Sequence, residues 1–267
     1  MSEGQGKKAG YSKIEVRLSE DERVLSVTLA SGKGNILDMA MMGELSEVLH
    51  EHRDRRHLKL VLLDAAGKHF SFGASVEEHT KDQVARMLPA FHGLIRQVAT
   101  YPVPVAALVQ GRCLGGSFEL VLACHFVFAA PSAVFGCPEI KLGVLPPVLA
   151  AIGAHRLGGA TAERLLLTGG DLPATDAARI GWAVLLDGEG ELKEQLLSWY
   201  QAQLGPLSAY ALRQATAAAR EYGGLFDALG GLDRAERLYL DRLVSSHDGN
   251  EGITAFIERR KPVFKDE

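Results

Sequence analysis

Residues 105–124 read VAALVQGRCLGGSFELVLAC. The apolar run at its start has the length of a buried strand, and Val103 to Val109 is entered past prolines, as strand edges tolerate. Gln110 to Leu114 form a tight loop, and Gly115 and Gly116 then open a helix that runs through Glu119 to about Ala123. Glycine is needed where another group must come close to the backbone. The first amides of a helix lack internal partners and point outward at its positive dipole end. An anionic oxygen is therefore stabilised at the Gly116 N–H. Taken alone, the two glycines equally permit nothing more than tight helix packing.

Two neighbouring stretches extend the reading. The loop FSFGAS, residues 70–75, joins a buried strand (Leu60 to Leu63) to a helix at about 82–99 and offers a second backbone N–H near Ala74. Two such donors polarise a thioester carbonyl and hold the enolate formed on attack at its β-carbon. The stretch FGCPEIKLG places Glu139 between Phe135 and Leu142, while Glu119 is flanked by Phe118, Leu120 and Val121. Apolar surroundings raise a carboxyl pKa, and a second carboxylate raises one of the two further, so the pair suits general acid–base work. Singly, each also reads as an ordinary helix-start or surface-loop glutamate. Glu77, Glu78 and His79 resemble a ligand cluster, but acids are favoured in a first helical turn anyway. No HExxH or clustered His/Asp spacing suggests a metal. Gly32 to Asn35 lack the remainder of a phosphate-binding loop, and the basic stretch at 259–265 reads as a solvated tail or as a contact to a phosphate-bearing ligand.

Around this centre the first half alternates short strands (Ile14 to Leu18, Val24 to Leu29, Phe126 to Ala129, Val134 to Gly136) with helices, one of them capped by Asp38. From about Val148 the periodicity is helical, over 148–156, 160–168, 174–180, 189–203, 207–221, 224–246 and 250–259, with one strand-like interruption at 183–186. The expected partition is a leader at 1–10, a catalytic core at 11–203 and a helical oligomerisation region at 204–267. In the last, Leu225, Leu229, Leu232, Leu238, Leu240 and Leu243 form apolar stripes that predict self-association. The polar, glycine-rich residues 1–10 read as a disordered leader rather than a signal peptide. No apolar run is long enough for a bilayer, so a cytoplasmic protein without a membrane partner is expected. At 267 residues the chain needs no staple, and its three cysteines, Cys113, Cys124 and Cys137, read as free buried thiols. A formal charge of −4 argues against a nucleic-acid partner.

In their order along the chain, FSFGAS, QGRCLGGSFELVLAC, FGCPEIKLG and the closing EGITAFIERRKPVF at 251–264 are similar to the crotonase (enoyl-CoA hydratase/isomerase) superfamily. The resemblance implies an α/β spiral of ββα turns with a helical C-terminal trimerisation region, an acyl-CoA substrate, and no cofactor, coenzyme A being part of the substrate. It puts the oxyanion amides on Ala74 and Gly116, the hydratase glutamates on Glu119 and Glu139, and substrate contacts on Lys33, Gly34, Phe72, Ser75, Val76 and Gly115. Retention of both acids implies water addition or its reverse. The stretches GNILDMAM, FSFGASVEEH and DQVARMLPAFHGLIR resemble the branch of the family that hydrates cyclohexa-1,5-diene-1-carbonyl-CoA to 6-hydroxycyclohex-1-ene-1-carbonyl-CoA. Ser117 stands where most members have a third glycine, Cys137 where glutamine is frequent, and Pro146, Pro147 and Val148 where the family is glycine-rich, which reshapes the acyl pocket. General enoyl-CoA hydration, isomerisation or decarboxylation remain alternatives within the fold, and a non-catalytic RNA-binding relative is the alternative outside enzymology.

Overall fold

The computed structural model describes residues 10–19 and 21–267. The expected leader, save Gly10, lies outside the described residues. The chain runs β1 (Ile14–Leu18), β2 (Val24–Leu29), α1 (Met39–His52), β3 (Leu60–Ala65), α2 (Val84–Ala99), β4 (Val105–Val109), β5 (Arg112–Leu114), α3 (Gly116–Ala123), β6 (Phe126–Ala129) and β7 (Val134–Gly136). The second half contains α4 (Pro147–Leu157), α5 (Gly159–Thr168), β8 (Asp171–Pro173), α6 (Ala174–Arg179), β9 (Val184–Leu185), α7 (Leu192–Gln203), α8 (Ala209–Glu221), α9 (Leu225–Leu229), α10 (Leu232–Leu238) and α11 (His247–Ile257).

Six strands form one sheet in the order β1-β2-β3-β4-β6-β9. The β1–β2 hairpin is antiparallel, and each later neighbour is parallel. Parallel neighbours need a crossover, and a helix lies between β2 and β3, between β3 and β4, and between β4 and β6. A second sheet, β5-β7-β8, stands behind these turns. Single bridges between Leu37 and Ala74 and between Ser71 and Cys113 continue this wall toward the first turn. Each turn of the spiral thus gives one strand to the main sheet and one short segment to the second wall. The oxyanion candidates sit at the ends of those short segments.

The second wall differs from the sequence reading. β5 and β8 hold three residues each, and their register comes from partners far away in the chain, such as Cys113 with Phe135 and Phe135 with Leu172. Local side-chain periodicity carries no such signal. β4 begins at Val105 rather than Val103, because Pro104 has no N–H to give the ladder.

The C-terminal helices also differ. The stretch read as one helix over 224–246 is broken into α9, α10 and a π turn at Tyr239–Leu243, with Gly230 and Gly231 between the first two. Leu225, Leu229, Leu232, Tyr239 and Ile253 enter the same hydrophobic core as β2, β3 and α2. Leu240 and Leu243 pack against that core partly buried, so of the six leucines expected to face other subunits only Leu238 does not cover the chain's own core. Leu238, Phe256 and Tyr222 are among the apolar side chains of this region that remain exposed, with Tyr210, Phe226 and Ile257.

Candidate active site

Between the second wall, α2 and the C-terminal helices lies an apolar cavity of about 320 Å³. Its lining brings together Phe72, Ala74, Val76, Gly115, Gly116, Glu119 and Glu139, which the sequence scatters over 68 positions from first to last. Met87, Leu88 and Phe91 of α2, Pro146 and the first residue of α4, Pro147, supply apolar walls, and Tyr239 and Phe256 close it from the C-terminal side. Ser75 is buried next to the cavity, with its hydroxyl on Glu77. Lys33 and Gly34 lie outside the lining; Lys33 is exposed, and Gly34 backs onto the Phe72 ring.

The two amides are set by backbone geometry. Gly115 adopts φ 53° and caps α3, so that Gly116 begins the helix with its N–H facing out. Gly73 adopts φ 101°, and a Cβ there would sit 2.7 Å from the Leu114 carbonyl and 3.4 Å from Gly116 N. The FSFGAS loop therefore lies directly against the start of α3. Leu37 N–H donates to the Gly73 carbonyl and Ser75 N–H to the Leu37 carbonyl, so the Ala74 amide between them is turned to the other side. Ser117, where a glycine is usual, bridges the two loops: its hydroxyl meets the Ser71 carbonyl at 3.1 Å and the Leu114 carbonyl at 2.7 Å. From behind, the buried Asn35 amide donates to the carbonyls of Ala66, His69 and Phe70. Sequence reading missed Asn35, whose only cue was a polar residue in a glycine loop.

The two acids stand in different electrostatic settings. Glu119 projects from α3, is 3% exposed, and its Oε1 accepts hydrogen bonds from the Val148 and Leu149 amides at 2.7 and 3.0 Å. These are first-turn amides of α4, whose positive end faces the carboxylate. Glu139 lies in a 3₁₀ turn, Pro138–Leu142, that ends at Gly143 in the left-handed conformation. Its Oε1 rests where Gly115 has no side chain; a Cβ there would be 2.8 Å away. Its Oε2 is buried without a hydrogen-bond partner. Burial pushes Glu119 up to about 7, against the pull of the Leu149 and Val148 amides. Burial, and then the Glu119 charge, push Glu139 up to about 8. The two titrate as a coupled pair in which Glu139 holds the proton more firmly.

The Glu77–His79 cluster resolves into structural contacts on one side and cavity wall on the other. Glu78 accepts from Met39 N–H at the start of α1, while His79 lines the cavity. Among the described residues no group of three or more His, Cys, Asp or Glu is placed to hold a metal ion. Cys113, Cys124 and Cys137 are buried and free. The basic tail folds back, with Arg260 bonded to Glu251 and Glu258. No helix among the described residues is long and apolar enough to cross a membrane.

The family model for enoyl-CoA hydratase/isomerase matches residues 19–267. The chain belongs to the enoyl-CoA hydratase/isomerase family. Its similarity to the cyclohexa-1,5-dienecarbonyl-CoA hydratase of Thauera aromatica is 43% identity over 93% of this chain and 95% of that protein. The carnitinyl-CoA dehydratase of Salmonella arizonae is 31% identical over 94% of this chain and 98% of its own length. Among solved structures, an enoyl-CoA hydratase from Mycobacterium avium subsp. paratuberculosis superposes with a TM-score of 0.83 at 27% identity, covering 96% of this chain and all of that one. The crotonase-type spiral expected from the sequence is thus the fold of the protein, and its named relatives place it among the hydro-lyases of the family.

Proposed function

We propose that the enzyme adds water to a cyclic conjugated dienoyl-CoA, with cyclohexa-1,5-diene-1-carbonyl-CoA as substrate. The observation that carries this reading is one apolar cavity holding two outward amides and two carboxyls of unequal proton affinity. The Ala74 and Gly116 amides receive the thioester oxygen. Glu119, held ionised by α4, takes a proton from water as its oxygen bonds to the β-carbon. The electron pair moves onto the thioester oxygen and returns through the diene, and Glu139 delivers its proton to the far carbon. Transfer of a proton from Glu119 to Glu139 restores the starting state.

The ring, rather than a chain, is favoured by the walls. Pro146, Pro147, Phe72 and Phe91 are stiff side chains, and a planar ring has little conformational freedom to lose on entering. The expected order of kcat/KM is the cyclic diene, then crotonyl-CoA, then a C10 enoyl-CoA, each methylene discriminated by about 1–3 kcal/mol. Fastest hydration of the C10 substrate would replace this reading by general enoyl-CoA hydration.

Activity requires one acid protonated and the other ionised. Below the Glu119 pKa of about 7 there is no base, and above the Glu139 pKa of about 8 there is no acid. A plot of kcat/KM against pH should be bell-shaped with its maximum between these values. A flat profile from pH 6 to 9 would remove the coupled pair from the mechanism.

The protein is further proposed to assemble as a homotrimer or a dimer of trimers in the cytoplasm, with no cofactor beyond the coenzyme A of its substrate. Leu238, Phe256 and Tyr222 stay exposed on the C-terminal helices and support a self-association surface. Light scattering should give at least three chains per particle at micromolar concentration; a monomer would contradict it.

A further inference from the structure

The cavity contains two polar side chains that the two-glutamate reaction leaves without a task, His79 and Tyr239. Tyr239 is 2% exposed, yet its hydroxyl has no hydrogen-bond partner among the described residues. Buried hydroxyls are normally paired, so an orphan on a residue that lines a cavity points to a partner brought by the ligand. The second orphan in the same cavity is Oε2 of Glu139. The phenol is raised above its ordinary pKa by burial first, and then by the charges of Glu139 and Glu119, which lie within electrostatic reach.

The backbone is shaped for this aim. Tyr239 opens the π turn that interrupts the helix begun at α10. Such single widened turns re-aim side chains and recur at functional sites. The His79 imidazole, its Nδ1 on the Ser75 carbonyl at 2.7 Å, is tilted against the Tyr239 ring with centroids 6.4 Å apart. At this end the Val148 and Leu149 amides are spent on Glu119, and Pro147 has no N–H.

Building on the proposed hydration, we propose that the Tyr239 hydroxyl donates a hydrogen bond to the oxygen that is added to the substrate, as water before attack and as the product hydroxyl afterwards. The phenol exchanges no proton; the C–O bond forms, Glu119 takes the water proton, and Glu139 supplies the proton to carbon. A donor aimed at this oxygen stabilises its hydroxide character at the transition state, equally for addition and for elimination.

The Tyr239→Phe variant keeps the ring. It should lower hydration and dehydration by a common factor of about 10 or more with KM nearly unchanged. A direct reading places 3-fluorotyrosine at position 239. Its fluorine resonance should move when 3-hydroxybutyryl-CoA binds and stay in place with butyryl-CoA. If both thioesters bind and shift the resonance alike, or if Tyr239→Phe retains more than half of wild-type turnover, the assignment is overturned while the hydratase reading stands. If neither thioester binds, the acyl-CoA reading falls and this one with it. A Tyr239→Phe protein that does not fold leaves the fluorine measurement to decide.

Discussion

Replacing Glu119 or Glu139 by glutamine should lower kcat by about 10²-fold or more, the scale of a lost general acid or base. Glutamine keeps the shape and cannot exchange the proton. The losses should not multiply in the double variant, since one acid without the other completes neither half of the reaction. Affinity for coenzyme A thioesters should change little, because neither carboxyl is needed to hold the nucleotide. A second readout separates charge from catalysis. Both carboxyls have folded-state pKa values above the ordinary 4.5. The folded protein therefore binds more protons than the unfolded chain between pH 4.5 and about 8, and stability falls as pH rises through that window. Glu139→Gln removes a buried charge that accepts no compensating amide from α4. It should melt above the wild type at pH 9, and the advantage should shrink toward pH 5. Near wild-type hydration in either single variant would end the two-glutamate mechanism; equal melting at pH 9 would end the account of why Glu139 holds its proton.

The sequence marks these acids as candidates and discloses much of the frame around them, because the signals are local. Ile14 to Leu18 and Val24 to Leu29 alternate and flank a polar turn, and they pair as read. Gly115 and Gly116 after a buried strand announce the start of α3. What stayed hidden depends on partners far along the chain. β5 and β8 are too short to carry a pattern, and they exist because Cys113, Phe135 and Leu172 lie side by side. Periodicity placed leucines on one face of the C-terminal helices, but it cannot say what covers that face. Leu225, Leu229 and Leu232 pack into their own core, whereas Leu238 stays exposed. Tyr239 was read as one more helical position because a π turn has no composition of its own. Only the fold shows its hydroxyl without a partner, on a residue that lines the same cavity as Glu139. Ser117 was visible as a departure from the family, yet its bridging role needed the Ser71 and Leu114 carbonyls in place.

Gly73→Ala should cost about 10²–10³ in kcat, as expected when one of two oxyanion donors is misplaced. The residue sits at φ 101°, where an L side chain is strained, and the added Cβ would meet the Leu114 carbonyl at 2.7 Å. That carbonyl is backbone, it already accepts from Ser117, and it directly precedes the Gly115–Gly116 turn, so it cannot yield as a flexible side chain would. Relief must come from separating the FSFGAS loop from α3, which moves the Ala74 and Gly116 amides apart. Strain alone is controlled by Gly67→Ala, in the loop that leads to FSFGAS. Gly67 has φ 87° and open space where its Cβ would go. Both variants should lose stability, since alanine pays for a positive φ wherever it stands. Only Gly73→Ala should lose turnover, and only there should the carbonyl stretch of a bound enoyl-CoA shift back toward its frequency in water. Equal kcat in the two variants would mean that the amides tolerate displacement, and the thioester oxygen would have to be polarised by something other than Ala74 and Gly116.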